Sequence, residues 1–139
     1  MPSTARSFGR STASTVPPTI LVIDDDDYVL GALRAALRGL RATVVRGSTA
    51  AEGLELARDL RPALAIVDLG LPDRDGYEVT RSLRRQPGLE SMRIVILTGY
   101  LPDESAAHEA GADLIIGKPF RVHEFLEAVY GQLEARETT

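Results

Sequence analysis

Short apolar runs alternate with longer amphipathic stretches along the chain from Thr19 onward. Five runs hold mostly apolar side chains in succession: 20–23, 43–45, 63–67, 94–97 and 114–116. Such runs are typical of strands that are buried on both faces of a parallel sheet. The stretches between them predict five helices, over 27–38, 49–60, 75–85, 103–110 and 122–135. The pattern therefore predicts an α/β fold, a five-stranded parallel sheet with helices on both faces.

Local signals mark the ends of several predicted helices. Thr49 and Glu52 have the spacing of a capping box, and Asp103 suits the position before a first turn. Gly39 and Gly111 are placed to end helices. One face of the last helix is apolar and predicts packing against the sheet. That face consists of Val122, Phe125, Leu126, Val129 and Leu133.

Composition narrows the possible functions mainly by exclusion. A chain of 139 residues fits one domain with one core, and the absence of cysteine excludes a disulfide framework or a thiolate metal site. A net charge of -4 argues against nucleic-acid binding as the main activity. No apolar run approaches the roughly 18 residues that cross a bilayer. We therefore expect a cytoplasmic protein that binds neither nucleic acid nor membrane.

The first 18 residues differ from the rest of the chain. They are rich in serine and threonine, contain two arginines and no acid, and end in Pro17-Pro18. Organelle transit peptides share this composition, but no amphipathic face is visible, so a flexible tail is the preferred interpretation. We expect a tail over 1–18, one domain over 19–136 and a short tail over 137–139. The domain is expected to stand alone, without an output domain.

Chemically useful side chains follow four of the five runs. The acidic run Asp24–Asp27 follows the first, and Asp68, Thr98 and Lys118 stand at or just after the ends of the third, fourth and fifth. Lys118 is the only lysine among 16 basic residues. The second run ends in Arg46-Gly47, as expected of an edge strand outside the site. Because the carboxyl ends of parallel strands meet at one edge, the other four groups are predicted to converge.

This set of groups suits phosphoryl transfer onto a carboxylate. Carboxylate oxygens are ligands for Mg²⁺, and Mn²⁺ can take its place. Asp68 would then serve as both metal ligand and nucleophile, becoming an aspartyl phosphate. Lys118 would contact one phosphoryl oxygen, and Thr98 would donate a hydrogen bond to another.

Some of the acids have a simpler structural interpretation. An acidic run before a helix usually forms its cap and a solvated first turn, and we assign Asp26 and Asp27 mainly to that role. Asp75 is placed to cap the helix that follows the loop after Asp68.

Four motifs, in order, resemble the receiver domains of two-component response regulators. They are Ile23-Asp24-Asp25, the loop from Asp68 through Leu-Pro-x-x-Asp to Gly76, Leu97-Thr98-Gly99, and Gly111-Ala112-Asp113 leading to Lys118-Pro119-Phe120. The resemblance covers about residues 19–135. It implies a flavodoxin-like, doubly wound sheet of strand order 2-1-3-4-5. It also implies a phosphohistidine donor, on a sensor histidine kinase or a histidine phosphotransfer protein.

The resemblance also implies a metal site. Asp25 and Asp68 would bind Mg²⁺ directly, Asp24 would act through a water molecule, and the main-chain carbonyl of Gly70 would complete the protein ligands.

The same resemblance assigns the phosphoryl contacts. Asp68 is the implied phosphoacceptor, and Thr98, Gly99 and Lys118 are the implied phosphoryl-contacting and switch residues. The bond before Pro119 is a candidate for the cis form.

Three features depart from the family pattern. Ile115 stands where the family has its switch aromatic, and the Thr98–Gly111 interval is short, which predicts a short or shifted fourth helix. Gly70 leaves the acceptor less shielded from water. We hypothesise that Tyr100 counters this by covering the site and lengthening the phosphorylated lifetime.

Alternative functions remain at this point. Asp25-x-Asp27 after a strand fits the opening motif of haloacid-dehalogenase-like phosphohydrolases, although that interpretation leaves Asp68 unexplained. A degenerate receiver acting as a scaffold is another alternative. The favoured hypothesis is a module that switches on phosphorylation or relays phosphate. It would have no enzymatic activity beyond its own phosphotransfer and dephosphorylation.

Overall fold

A single parallel sheet organises the protein in the computed structural model, which describes residues 16–138. The sheet has five strands in the order β2-β1-β3-β4-β5, and every neighbouring pair is parallel. The strands are β1 (Thr19–Ile23), β2 (Thr43–Gly47), β3 (Leu64–Asp68), β4 (Arg93–Thr98) and β5 (Leu114–Gly117). The predicted strand order is confirmed, and β2 is an edge strand as expected.

Five α-helices cover the two faces of this sheet. They are α1 (Asp27–Leu37), α2 (Ala50–Leu60), α3 (Gly76–Arg85), α4 (Glu104–Ala110) and α5 (Val122–Thr138). Alternate strand residues enter two separate cores. Leu21 and Ile23 pack with residues of α2, α3 and α4, whereas Ile20 and Val22 pack with residues of α1 and α5. Burial on both faces is the reason for the uninterrupted apolar runs in the sequence.

Most predicted helix ends agree with the structure. The Thr49 hydroxyl caps α2 by accepting a hydrogen bond from Glu52 N, and Asp103 caps α4 through Ala106 N. The Glu52 carboxylate accepts from Ser48 N, one residue before the helix cap. Gly111 ends α4 at a φ of 105°, in the left-handed region that glycine tolerates best. With seven residues, α4 is short, as expected.

Three details of the prediction were wrong. Gly39 does not end α1, because the chain continues into a 3₁₀ turn (Arg38–Leu40) and reverses at Arg41, whose φ is 54°. Val122 does not belong to the buried face of α5. It is the first residue of that helix and is 53% exposed, whereas Phe125 and Val129 are buried. The last helix continues to Thr138 rather than ending near 135.

The predicted N-terminal tail lies mostly outside the described residues. Pro18, at its end, accepts a hydrogen bond from Thr43 N at 2.9 Å, so this proline already borders the sheet. Among the helices of residues 16–138, none is long and apolar enough to cross a membrane.

Candidate functional site

Three carboxylates meet at the carboxyl edge of the sheet. Asp24 and Asp25 follow β1, Asp68 is the last residue of β3, and β1 and β3 are adjacent in the sheet. One oxygen from each of these side chains lies within 4.8 Å of the other two. Asp24 and Asp68 are 1% and 7% exposed, and Asp25 is open to solvent. The site is therefore a partly buried acidic cluster with one open side.

The two carboxylate oxygens of Asp24 have different surroundings. Its Oδ1 accepts a hydrogen bond from Asp26 N at 2.9 Å, but its Oδ2 is buried and has no hydrogen-bond partner among residues 16–138. Burial raises the pKa of Asp24 to about 6, and the negative charge of Asp68 contributes to the rise. A buried, unpartnered carboxylate oxygen beside two further carboxylates is a donor set that a hard cation satisfies. The residues present thus fit Mg²⁺.

Lys118 reaches the acidic cluster from the neighbouring loop. Its Nζ lies 3.2 Å from Asp68 Oδ1, and both side chains are largely buried. The backbone N–H of Lys118 donates to Thr98 O at 2.7 Å, which ties the residue to the end of β4. The Lys118–Pro119 peptide bond is cis. The only ammonium group supplied by a lysine is therefore held against one oxygen of Asp68.

Thr98 ends β4 on the same edge, with its side chain buried. Its Oγ1 accepts a hydrogen bond from Tyr100 N at 3.0 Å. Within the described part of the chain no hydrogen bond joins the Thr98 side chain to Asp68. A Cβ at the following Gly99 would meet no described atom within 4 Å. The start of the β4–α4 loop is therefore uncrowded.

Tyr100 does not cover the acceptor in this structure. Its side chain is 80% exposed, and the adjacent Leu101 is more exposed still. Its hypothesised effect on access to Asp68 therefore requires a different placement of the ring, and it stays a prediction.

Two glycines border Asp68 for different steric reasons. A Cβ on Gly70 would lie 3.6 Å from Asp68 Oδ2, so glycine leaves this side of the carboxylate open. A Cβ on Gly76 would come within 2.6 Å of Asp68 O and 2.7 Å of Leu69 Cα. The start of α3 can approach the acceptor backbone this closely only because residue 76 has no side chain.

Two further acids of the motifs, Asp26 and Asp75, cap helices, as predicted. Asp26 caps α1 by accepting hydrogen bonds from Tyr28 N and Val29 N, and Asp75 caps α3. Asp27 forms an ion pair with Arg46 of β2. Asp27 therefore lies outside the carboxylate cluster, which leaves the Asp25-x-Asp27 phosphohydrolase motif without a structural counterpart.

Ile115 occupies the middle of the edge strand β5. Its side chain is buried in the core that the sheet shares with α4. An aliphatic side chain packed there has no polar end that could exchange between a core and a solvent position.

Two polar residues that join distant segments of the fold were not identified from the sequence. The Asp73 carboxylate accepts hydrogen bonds from Ala50 N and Ala51 N, at the start of α2. The Arg84 guanidinium, on α3, donates to Gly111 O and pairs with Asp113. Both contacts join segments more than 20 residues apart, so no local spacing signals them.

Most of the chain is similar in sequence to known response regulators. The family model described as response regulator receiver domain matches residues 20–130. The polar-differentiation response regulator DivK of Brucella anthropi is 27% identical over 120 residues, covering 85% of this chain and 98% of that protein. Further relatives are transcriptional regulators from several bacteria, and this chain spans about half of their length.

Solved structures agree with the sequence comparisons. A CheY-like response regulator receiver domain protein from Methanospirillum hungatei superposes with a TM-score of 0.82 at 30% identity, covering 88% of this chain and 98% of that one. The receiver domain of the sensor histidine kinase PA1611 from Pseudomonas aeruginosa has a TM-score of 0.76 at 25% identity, covering 86% and 99%. That structure holds a magnesium ion coordinated in its active-site cleft. The comparisons give no support to the phosphohydrolase alternative.

Proposed function

The chain belongs to the response regulator receiver domain family, and we propose that it accepts a phosphoryl group on Asp68 from a phosphohistidine. The donor is a sensor histidine kinase or a histidine phosphotransfer protein. The observation that carries the proposal is the convergence of Asp24, Asp25 and Asp68, with Lys118 Nζ 3.2 Å from the acceptor. A cytoplasmic location is part of the proposal.

The metal site consists of the acidic cluster and one backbone group. Asp25 and Asp68 would hold Mg²⁺ directly, Asp24 would act through water, and the Gly70 carbonyl would complete the set. When bound, the cation neutralises charge between the attacking carboxylate and the phosphoryl donor, and Mn²⁺ can replace it. The unpartnered Oδ2 of Asp24 supports this assignment, because a bound ion with its water would satisfy that oxygen.

The transfer itself is a direct displacement at phosphorus. A carboxylate oxygen of Asp68 forms the new P–O bond, the bond between phosphorus and the histidine nitrogen breaks, and the electron pair leaves with the imidazole. Lys118 then contacts a phosphoryl oxygen as a compact charge, and Thr98 donates its hydroxyl hydrogen to another. The chain has no catalytic role beyond this transfer and the loss of its own phosphoryl group.

The output follows from movement around Thr98. The Thr98 hydroxyl now accepts from Tyr100 N, and turning toward a phosphoryl group would disturb the start of the β4–α4 loop. Phosphorylation would thereby shift an existing equilibrium between two loop arrangements. Because Ile115 replaces the family's switch aromatic, the loop rather than β5 is the moving element in this chain. The altered surface signals to a partner protein, or the phosphoryl group passes onward in a relay.

A mass measurement tests the proposal. The protein is incubated with Mg²⁺ and acetyl phosphate, and intact masses are compared for wild type, Asp68→Asn and Asp25→Asn. We expect one labile phosphoryl adduct in wild type, none in Asp68→Asn and much less in Asp25→Asn. Repeating the incubation with Mn²⁺ tests the second metal.

Two other results would overturn the proposal. Turnover of phosphomonoesters that depends on Asp25 but not on Asp68 would identify a phosphohydrolase. No adduct together with no affinity for Mg²⁺ would leave a degenerate receiver that acts as a scaffold.

A further inference from the structure

The loop between Asp68 and α3 is held by both backbone and side-chain contacts. Leu69 N donates to Leu97 O at 3.0 Å, and Leu69 O accepts from Gly76 N at 3.3 Å. Leu71 is buried in the core, Asp75 caps α3, and Asp73 accepts two hydrogen bonds from α2. Gly70, whose carbonyl is assigned to the metal, lies between the anchored residues Leu69 and Leu71. The position of that carbonyl therefore depends on how firmly the loop is held.

The Asp73 side chain joins the loop to α2 by hydrogen bonds. Its Oδ1 lies 2.8 Å from Ala50 N and its Oδ2 lies 3.2 Å from Ala51 N. These N–H groups belong to the first two residues of α2, which have no partner within the helix. A carboxylate at a helix start is also stabilised by the helix dipole. Accordingly, the Ala50 N–H, followed by that of Ala51, lowers the pKa of Asp73.

The start of α2 thus has two independent caps. Thr49 supplies the local cap, accepting from Glu52 N at 3.1 Å. Asp73 supplies a distant cap from the loop that carries the acceptor. The two caps use different N–H groups, so either can be removed while the other remains.

We infer that Asp73 is a positioning residue for the metal site: by fastening the acceptor loop to α2, it holds the Gly70 carbonyl and Asp68 in ligating positions. This inference rests on the proposed function. Groups that orient metal ligands from outside the coordination sphere typically contribute about ten- to a hundredfold in metal affinity. Asp73 acts through the loop backbone, so we expect an effect of about tenfold or less.

The two caps provide a matched pair of variants. Asp73→Ala and Thr49→Ala each remove one cap from the same helix, but only Asp73→Ala also removes a tether of the loop. Mg²⁺ affinity is measured by calorimetry on the full chain, with circular dichroism to verify folding. We expect a clearly higher Kd for Mg²⁺ in Asp73→Ala and a wild-type Kd in Thr49→Ala.

Two further variants separate the loss of the Asp73 hydrogen bonds from the loss of a negative charge. Glu78→Gln removes an exposed acid from the first turn of α3 and should leave the Kd for Mg²⁺ near the wild-type value. Asp73→Asn keeps one oxygen for Ala50 N but loses the second acceptor, so its Kd should fall between wild type and Asp73→Ala. If Glu78→Gln weakens binding as much as Asp73→Ala, general charge explains the effect and the inference is wrong.

Amide hydrogen exchange gives a readout that needs no phosphorylation. If the loop and α2 are coupled, Mg²⁺ should slow exchange at Ala50 and Ala51 in wild type, because coupling between two sites is reciprocal. Asp73→Ala should abolish this response, and Thr49→Ala should keep it.

The outcomes distinguish this inference from the proposal on which it rests. Wild type that fails to bind Mg²⁺ would overturn both. Wild type that binds Mg²⁺ normally, with an equal Kd and exchange response in Asp73→Ala, would overturn only the role of Asp73.

Discussion

Lys118 Nζ lies 3.2 Å from Asp68 Oδ1, although 50 residues separate them along the chain. The contact crosses from the loop after β5 to the end of β3, over the intervening strand β4. Solvent reaches 25% of the Lys118 side chain and 10% of the Asp68 side chain. The one lysine of a chain that otherwise uses arginine therefore stands beside the proposed acceptor.

Lys118→Arg tests whether the compact ammonium is required. The variant keeps the charge but replaces a point charge by a larger planar fork, which cannot occupy the same short contact. We expect a folded protein whose phosphorylation by acetyl phosphate is slowed, by up to about a hundredfold. Intact mass against time measures the rate, and thermal unfolding checks the fold. Normal phosphorylation and signalling in Lys118→Arg would make the single lysine an accident of composition.

Gly70→Ala tests the open side of the acceptor. The added Cβ would lie 3.6 Å from Asp68 Oδ2, an ordinary contact that partly blocks water without disturbing the backbone. We expect slower loss of the phosphoryl group and an unchanged Kd for Mg²⁺, because the metal ligand is the backbone carbonyl. The rate of phosphoryl loss is measured by the decay of the phosphorylated mass, and the Kd for Mg²⁺ is measured by calorimetry. A larger Kd would show that the substitution moves the carbonyl.

Tyr100→Ala tests whether the exposed ring shields the aspartyl phosphate. Tyr100 N already donates to Thr98 Oγ1, so a turn of Thr98 would move the ring as well. We expect faster dephosphorylation in Tyr100→Ala and a wild-type rate in Tyr100→Phe, which retains the ring. An unchanged rate in Tyr100→Ala would contradict the shielding hypothesis.

Gly76→Ala tests the close approach of α3 to the acceptor. The new Cβ would meet Asp68 O at 2.6 Å, and backbone atoms cannot yield as a flexible side chain can. We expect a loss of about 1–3 kcal/mol in the free energy of unfolding. Gly31→Ala is the matched control, because its Cβ meets no described atom within 4 Å inside α1. It should stabilise the protein by about 0.5–1 kcal/mol. Equal effects in the two variants would rule out the steric explanation.

Unfolding at acidic pH tests whether the ionised Asp73 carboxylate stabilises the fold. The N–H groups of α2, with help from the Arg74 charge, hold the pKa of Asp73 below its usual value. A lowered pKa gives stability that is fully present above the unfolded-state pKa, about 3.9, and is lost as pH falls through the folded-state value. In urea unfolding below about pH 4, wild type should therefore lose stability more steeply with falling pH than Asp73→Asn. Parallel curves would contradict this linkage.

The sequence by itself determined the sheet and the residues at its edge. Ile20–Ile23 and 63–67 are apolar at every position because both faces of their strands are covered, and that burial requires no knowledge of particular neighbours. The side chains that follow the strands must then share one edge, which brings Asp68, Thr98 and Lys118 together. Caps such as Thr49 were also predictable, because helix geometry fixes the distance to Glu52 three residues away.

Tertiary structure alone decided what these groups contact. The sequence does not show that one oxygen of Asp24 is buried without a partner or that the Tyr100 ring is exposed. The tether from Asp73 to Ala50 joins a loop to a helix 23 residues away. The spacing of apolar residues in helices and strands repeats over neighbouring positions, so it can be recognised in the sequence. A hydrogen bond between a loop and a distant helix depends on a single distance and direction, which only the packed molecule defines.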